Sequence, residues 1–289
     1  FYHEQAQKYE EGEEYELAFT SYGKAANIYQ DYLDRFPHDK QVYELTYNYA
    51  ESLYYSQRFD EAIPRYTWVR DAKHNTSLQK DAANGVVLAW ENAIKKAADD
   101  GSLVLRDAIV ASERKDEPLE AIEIPLQYQE YIKAIEAFLT LVPDDENRSS
   151  FDYLAADTFY RYQHWEEAER RYKAVLANYP AEDVGKYSAN ILLDIYLTHK
   201  RYQDVADAIE GYGKDELLNK HAGFLEGLVP IRSGALFKVA EKTMADEKFD
   251  EAAERYIALV DENPKFEFAD SALNNAAVCF EKNKRYDSA

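Results

Sequence analysis

The sequence predicts an all-α chain of antiparallel helix pairs, and three observations carry that prediction. A short phrase returns at fixed internal offsets. A small residue stands one helix upstream of most copies. No stretch sustains the polar–apolar alternation of a strand. Trp165-Glu166-Glu167-Ala168 is followed by Tyr172, Val175 and Pro180, and Phe249-Asp250-Glu251-Ala252 by Tyr256, Leu259 and Pro264, at the same offsets. Phe59-Asp60-Glu61-Ala62 leads to Tyr66 and Val69, and Tyr15-Glu16-Leu17-Ala18 to Tyr22 and Ala25. Weaker copies are Tyr131-Ile132-Lys133-Ala134 with Phe138, and Tyr202-Gln203-Asp204-Val205 with Ile209; Tyr286-Asp287-Ser288-Ala289 begins one more.

Each element follows from these marks. Ala6, Ala50, Ala156, Ala240 and Ala277 precede the phrase alanines by one helix, with Tyr9, Leu53, Phe159 and Phe280 three positions later. Small residues on both helices of a pair, such as Ala156 and Ala168, let the backbones approach closely. Tyr172 and Val175 are one turn apart and point at one seam. Pro37, Pro180 and Pro264 lack a backbone donor and end second helices. From Ala18 to Ala62 the step is 44 residues, which fits a second helix extended by about one to two turns over Ala25 to Pro37. From Ala62 to Ala134 the step is 72 residues with no intervening phrase. Here Leu78 to Ala98 reads as a first helix and Leu119 to Leu141 as a second. Between them Asp99 to Pro118 reads as a polar, exposed and comparatively mobile insertion. The 47 residues from Val205 to Ala252 hold Gly211, Gly213, Gly223, Gly227 and Pro230, which predicts a short extra helix or a kinked connection.

The step from Ala134 to Ala168 is 34 residues, and those from Ala168 to Val205 and from Ala252 to Ala289 are 37. With a small residue and aromatic on the first helix, and Ala-x3-aromatic and a closing Pro on the second, the pattern resembles the tetratricopeptide repeat (TPR). The resemblance implies a TPR-type right-handed superhelical solenoid of antiparallel helix pairs. It reads as one domain over residues 1–289, with about six repeats plus a partial one, irregular at 99–118 and 211–230. Both ends fall inside a repeat, so the expected object is a segment of a longer protein.

In this family the first helices line the concave face. Matching on the small residue places Glu44, Tyr47, Glu51, Tyr54 and Tyr55 there, then Tyr153, Asp157, Tyr160 and Arg161, then Tyr187, Asn190, Asp194 and Leu197, and finally Phe237, Glu241 and Met244. A carboxylate recurs one turn after an aromatic or Asn, at Glu51, Asp157, Asp194 and Glu241. Tyrosine, of which the chain has 25, joins large contact area to a polar tip, which suits a recognition groove.

The net charge of −21 and a pI near 4.7 disfavour nucleic acid and anionic membrane surfaces as partners. They fit a protein or peptide partner that is basic or neutral. No apolar run approaches the roughly 20 residues of a membrane span, so direct membrane insertion by this segment is not expected. The cochaperone TPRs that grip acidic peptide ends use Lys and Asn where this chain has Tyr, Phe and acids, which argues against that ligand. No phosphate loop of the GxxxxGK[ST] type occurs. His3-Glu4-Gln5-Ala6-Gln7 departs from HExxH at its last position, and histidines 38, 74, 164, 199 and 221 lack ligand spacing. Asp144-Asp145-Glu146-Asn147 lacks the glycine and distal Glu of a calcium loop. Neither cofactor nor metal nor catalytic residue is expected, and Cys279 reads as a buried, inert thiol.

The expected function is a non-enzymatic scaffold for protein–protein interaction. Extended second helices ending in Phe-Pro or Tyr-Pro resemble bacterial cell-envelope TPR proteins, which implies a periplasmic or outer-membrane-associated assembly factor. The alternatives are a cytoplasmic adaptor or regulator, and the docking region of an enzyme whose catalytic domain lies elsewhere.

Overall fold

A computed structural model describes residues 1–72, 76–114 and 118–283. Within them there are thirteen α-helices and no strand. The chain divides into two compact units, one of residues 1–107 and 122–158, the other of 108–121 and 159–289.

Unit 1 begins with α1 (Tyr2–Glu11), α2 (Tyr15–Arg35), α3 (Val42–Tyr55), α4 (Phe59–Ala72), α5 (Thr76–Asp99) and α6 (Leu126–Leu141), and each helix packs on the next. Short links join consecutive helices from α1 to α5, whereas residues 100–125 separate α5 from α6. The extended α2 accounts for the long first step: at 21 residues it exceeds α4 by seven. Ala6, Ala50 and Ala62 are fully buried, as backbones in close approach require. Around them Leu53, Tyr66, Val69, Val87, Ile135 and Phe138 form the core. α7 (Arg148–Arg161) follows, its residues up to Thr158 in unit 1 and the rest in unit 2.

Unit 2 continues with α8 (Trp165–Asn178), α9 (Asp183–Thr198), α10 (Tyr202–Lys214), α11 (Phe224–Ala245), α12 (Phe249–Glu262) and α13 (Ala269–Lys282). α8 packs on α9, α10 on α11, and α11 through α13 in turn. The phrase residues Ala168, Tyr172, Val205, Ala252 and Tyr256 are all fully buried. Cys279 is buried in the last core cluster, and burial raises its thiol above the usual range. Ala277 is only half-buried; its neighbour Ala276 takes the core position. The phrase copy at 286–289 and His74 lie outside the described residues.

One regularity escapes the residue pattern. Glu13, Gln57, Gln163, Lys200 and Glu247 all adopt positive φ, between 56° and 62°, and each lies five positions before Ala18, Ala62, Ala168, Val205 or Ala252. The left-handed residue turns the chain between the helices of a pair. It lets the next N–H reach back to a carbonyl of the first helix, as in Arg58 N to Leu53 O at 2.9 Å and Arg201 N to Tyr196 O at 2.8 Å.

Two expectations need correction. The helix expected from Leu119 begins at Leu126, because Pro125 holds extended backbone (φ −53°, ψ 145°) and the helix starts only after it. The segment expected to be exposed from 99 to 118 is partly packed where it is described: Leu103 is buried and Ala108 to Ala111 are half-buried, while residues 115–117 lie outside the described residues. The glycine-rich region resolves into one 3-10 turn at Leu218–Lys220 and a long α11 that runs through Pro230.

Candidate functional site

In unit 1, Thr46, Tyr49, Ala50 and Leu53 turn one side of α3 into the core. Tyr47, Glu51, Tyr54 and Tyr55 follow at offsets of four, seven and eight residues and share a different face. With Tyr66 of α4 and Asp81, Asn84, Gly85 and Leu88 of α5, they line a cavity of about 230 Å³. Two of these nine residues are carboxylates and none is Lys, Arg or His. The rings brace one another. Tyr47 meets Tyr66 edge-on at 6.0 Å, Tyr54 meets Tyr55 edge-on at 5.3 Å, and Tyr22 stacks on Tyr55 at 4.9 Å. The hydroxyl of Tyr66 donates to Oε1 of Glu51, and Tyr47 bonds to the same carboxyl group. Asn92 Nδ2 donates to the Tyr54 hydroxyl at 3.1 Å.

The electrostatics follow from this enclosure. Burial raises Glu51 above the ordinary carboxylate value, the bonds from Tyr66 and Tyr47 pull the other way, and Asp81 and Glu10 add like charge. Burial, then the charge of Glu51, pushes the Tyr55 phenol up to about 12. A carboxylate held by neutral donors and walled by aromatic rings is complementary to a cation, which gains from the ring faces and the charge together.

Unit 2 arranges the same residue types differently. Tyr160 is 0% exposed. Its hydroxyl donates to Oδ2 of Asp194 at 2.5 Å, and Oδ1 of Asp194 accepts the backbone N–H of Ala111 at 2.7 Å. The carbonyl oxygen of Ile109 lies 3.5 Å from the Tyr160 hydroxyl. The Trp165 indole N–H donates to the Leu119 carbonyl at 2.7 Å, and the Arg114 guanidinium sits 4.7 Å above the Trp165 ring. Burial and the bond to Asp194 raise the Tyr160 phenol, with Arg114 opposing. Farther along, a cavity of about 680 Å³ is walled by Leu197, Tyr202, Ile231, Phe237, Glu241 and Phe268 among others, and Lys238 pairs with Glu241 at 2.7 Å. Among the described residues no group of His, Cys, Asp and Glu is placed to hold a metal ion, and no helix is long and apolar enough to cross a membrane.

The sequence from 244 to 289 matches the family model described as tetratricopeptide repeat. That stretch is similar to the tetratricopeptide repeat. The TPR phrase of that stretch is the one that recurs upstream at Trp165, Phe59 and Tyr15. No curated protein matches the chain. Among solved structures, the chain is similar to the apo form of RapI, at 11% identity and a TM-score of 0.42, over 99% of this chain and 75% of that one. It is also similar to the P58(IPK) TPR domain, at 13% identity and a TM-score of 0.32, over 98% and 79%. A third similar structure is a putative kinesin light chain of Podosopora anserina with nearly identical TPR-like repeats, at 13% identity and a TM-score of 0.33, over 86% and 100%.

The residues expected on the TPR concave face fall into distinct settings. Tyr47, Glu51, Tyr54 and Tyr55 converge on one cavity, while Glu44 is exposed in the first turn of α3 and outside its lining. Tyr153, Asp157 and Arg161 are half-buried on α7. Tyr187 and Asn190 are exposed on α9, with Lys186 Nζ 5.1 Å from the Tyr187 ring. Tyr160 and Asp194 do not form an open surface, because backbone from 109 to 111 already lies against them. Phe237 is 7% exposed and packs against Tyr256 and Phe266, so it is core with one edge on a cavity rather than a free contact residue. The sequence reading omitted Tyr66 and Asp81 from the site. Tyr66 belongs to the phrase and reads as core, which its ring is; only the hydroxyl reaches the cavity.

Proposed function

We propose that this chain is a non-enzymatic TPR scaffold that holds a basic or neutral polypeptide segment and draws a cationic side chain of it into the Glu51 cavity. The observation that carries this reading is the lining itself: four tyrosines and two carboxylates, with no basic side chain among them. The Tyr47, Tyr54 and Tyr55 rings border the cavity and Glu51 supplies the charge, an arrangement that selects for charge without a covalent step. We place this scaffold in assembly of a bacterial cell-envelope complex, on the resemblance of its proline-terminated second helices. Fractionation of the source cells tests that placement, and recovery in the cytoplasm turns it into the adaptor reading.

Fluorescence titration of the full chain with peptides that differ only in one central residue, Lys, Arg or norleucine, tests the binding itself. The basic peptides should bind at least tenfold tighter than the norleucine peptide, and Glu51→Gln should erase most of that difference. Equal binding of all three peptides, or no binding of any, rejects the reading.

A further inference from the structure

One face of unit 2 holds a piece of the chain's own backbone. Residues 108–114 belong to unit 2 although the helices on either side in sequence, α5 and α6, belong to unit 1. The contacts are those of a bound peptide that turns over residues 110–114, where the N–H groups of Glu113 and Arg114 return to the Val110 carbonyl. A carboxylate of the face, Asp194, takes the N–H of Ala111. A hydroxyl of the face, Tyr160, stands beside the Ile109 carbonyl. An arginine, Arg114, lies over an aromatic plane, Trp165. Tyr160 and Asp194 are the residues that the repeat pattern puts on a recognition surface, and here they contact the chain's own backbone at Ile109 and Ala111.

The way this strap is held bears on its role. None of residues 108–114 is buried: Ser112 and Glu113 are exposed, and the others half-buried. Its apolar side chains, Ala108, Ile109, Val110 and Ala111, are only half-buried, unlike Leu103 and Ile124 on either side of it, which are buried. A segment whose apolar side chains are only half-buried opens at lower free-energy cost than one anchored by buried side chains. The groups beneath it are of the opposite kind, since Tyr160 is wholly buried and braced by Trp165 at 5.8 Å and Tyr172 at 6.2 Å. A buried, ring-braced face under a half-buried strap is the arrangement of a site with a competitor in place.

We infer that residues 108–114 are a built-in competitor for a second polypeptide site, on the Tyr160–Asp194–Trp165 face of unit 2. Its partner is a polypeptide segment that, like the strap, offers a backbone N–H to Asp194 and, across a turn, an arginine to Trp165. Because the strap is tethered at both ends, it competes at a high effective concentration, on the order of millimolar for a short flexible link. A free peptide must overcome that before it occupies the face, so the intact chain binds weakly there until the strap is lifted.

The probe is a fluorescent peptide with the chain's own sequence from Leu105 to Arg114. Anisotropy is measured against the full chain and against two strap variants that leave the face untouched. Ala111→Pro removes the N–H given to Asp194, and Arg114→Ala removes the cation over Trp165. Each variant should bind the probe at least tenfold tighter than the parent chain, and adding Asp194→Asn should abolish the gain. Circular dichroism should show unchanged helix content. Two results overturn the proposal. In one, probe affinity is unchanged while thermal stability falls, which makes the strap a structural brace. In the other, the variants form concentration-dependent dimers on sedimentation, which makes the occupant a second copy of this chain. The Glu51 cavity is untouched by these variants, so binding of basic peptides there can succeed or fail independently.

Discussion

Gly85 makes room for Tyr66: a Cβ placed on Gly85 would lie 2.7 Å from Cε1 of the Tyr66 ring. That contact is shorter than carbon atoms tolerate, and the ring is fully buried among Leu53, Val69 and Val87. The absence of one methyl group on α5 therefore fixes where the Tyr66 hydroxyl meets Glu51.

Gly85→Ala should shift the Tyr66 ring and destabilise the chain by about 1–3 kcal/mol through overpacking, despite alanine's better helix propensity. Chemical denaturation gives the first number, and titration with a lysine peptide the second effect, a loss of affinity at the Glu51 cavity. An unchanged urea midpoint would show that the ring has room to move and that the glycine is incidental.

A second glycine makes the same point against backbone. On Gly185, in the first turn of α9, a Cβ would lie 2.2 Å from the carbonyl oxygen of Tyr179. A carbonyl cannot swing aside as a side-chain end can. Gly185→Ala should lower stability by about 1–3 kcal/mol, since relief of that clash requires α8 and α9 to separate at their turn. The thermal midpoint reads this directly, and a rise in it would mean that helix propensity outweighs the close approach.

These contacts also mark where the sequence stops being legible. The phrase and its upstream alanines locate the helix pairs, because small residues at a helix crossing leave a side-chain signature. The left-handed turns at Glu13, Gln57, Gln163, Lys200 and Glu247 leave none: they share a position and a φ but no residue type, and none is Gly or Asn. In unit 1 the helical register was enough to bring Tyr47, Glu51, Tyr54 and Tyr55 together, since one helix carries all four. The Tyr66 hydroxyl and Asp81 join them from neighbouring helices, which periodicity cannot assign. The strap was invisible as a ligand because Ala111 and Ile109 act through backbone N–H and carbonyl, groups that every sequence has. Its polarity reads as exposure, and only the fold shows that Asp194 is waiting for it.

The turn regularity carries its own test. Lys200 is exposed and holds φ at 56°, a conformation that costs an L-residue about 1–2 kcal/mol and glycine nothing. Glycine also loosens the unfolded chain, which takes back about 0.4–1 kcal/mol. Lys200→Gly keeps the N–H that bonds Leu197 O and should raise stability by up to about 1 kcal/mol, measured from the urea midpoint. A loss of stability would mean that the lysine side chain contributes more than its backbone costs.

The raised pKa of Glu51 gives a pH dependence with a definite sign. Burial disfavours its charged form in the folded chain, so the folded state holds the proton at a pH where the unfolded chain has released it. The contribution of Glu51 to stability is therefore most favourable below its ordinary value of 4.5, and is lost as pH rises through the raised folded value. Glu51→Gln removes this term. Relative to the parent chain, the variant should gain stability as pH rises through that window and then level off. A cation bound in the cavity favours the carboxylate, so binding and proton release are linked. Affinity for a lysine peptide should strengthen as pH rises through the same window and then level off, while the weaker binding to Glu51→Gln should lack that rise. Isothermal titration in buffers of different ionisation enthalpy counts the released protons directly. If the parent chain releases none within the window, and its affinity there matches that of Glu51→Gln, then the bound cation does not meet Glu51, and the cavity recognises its ligand through the tyrosine rings alone.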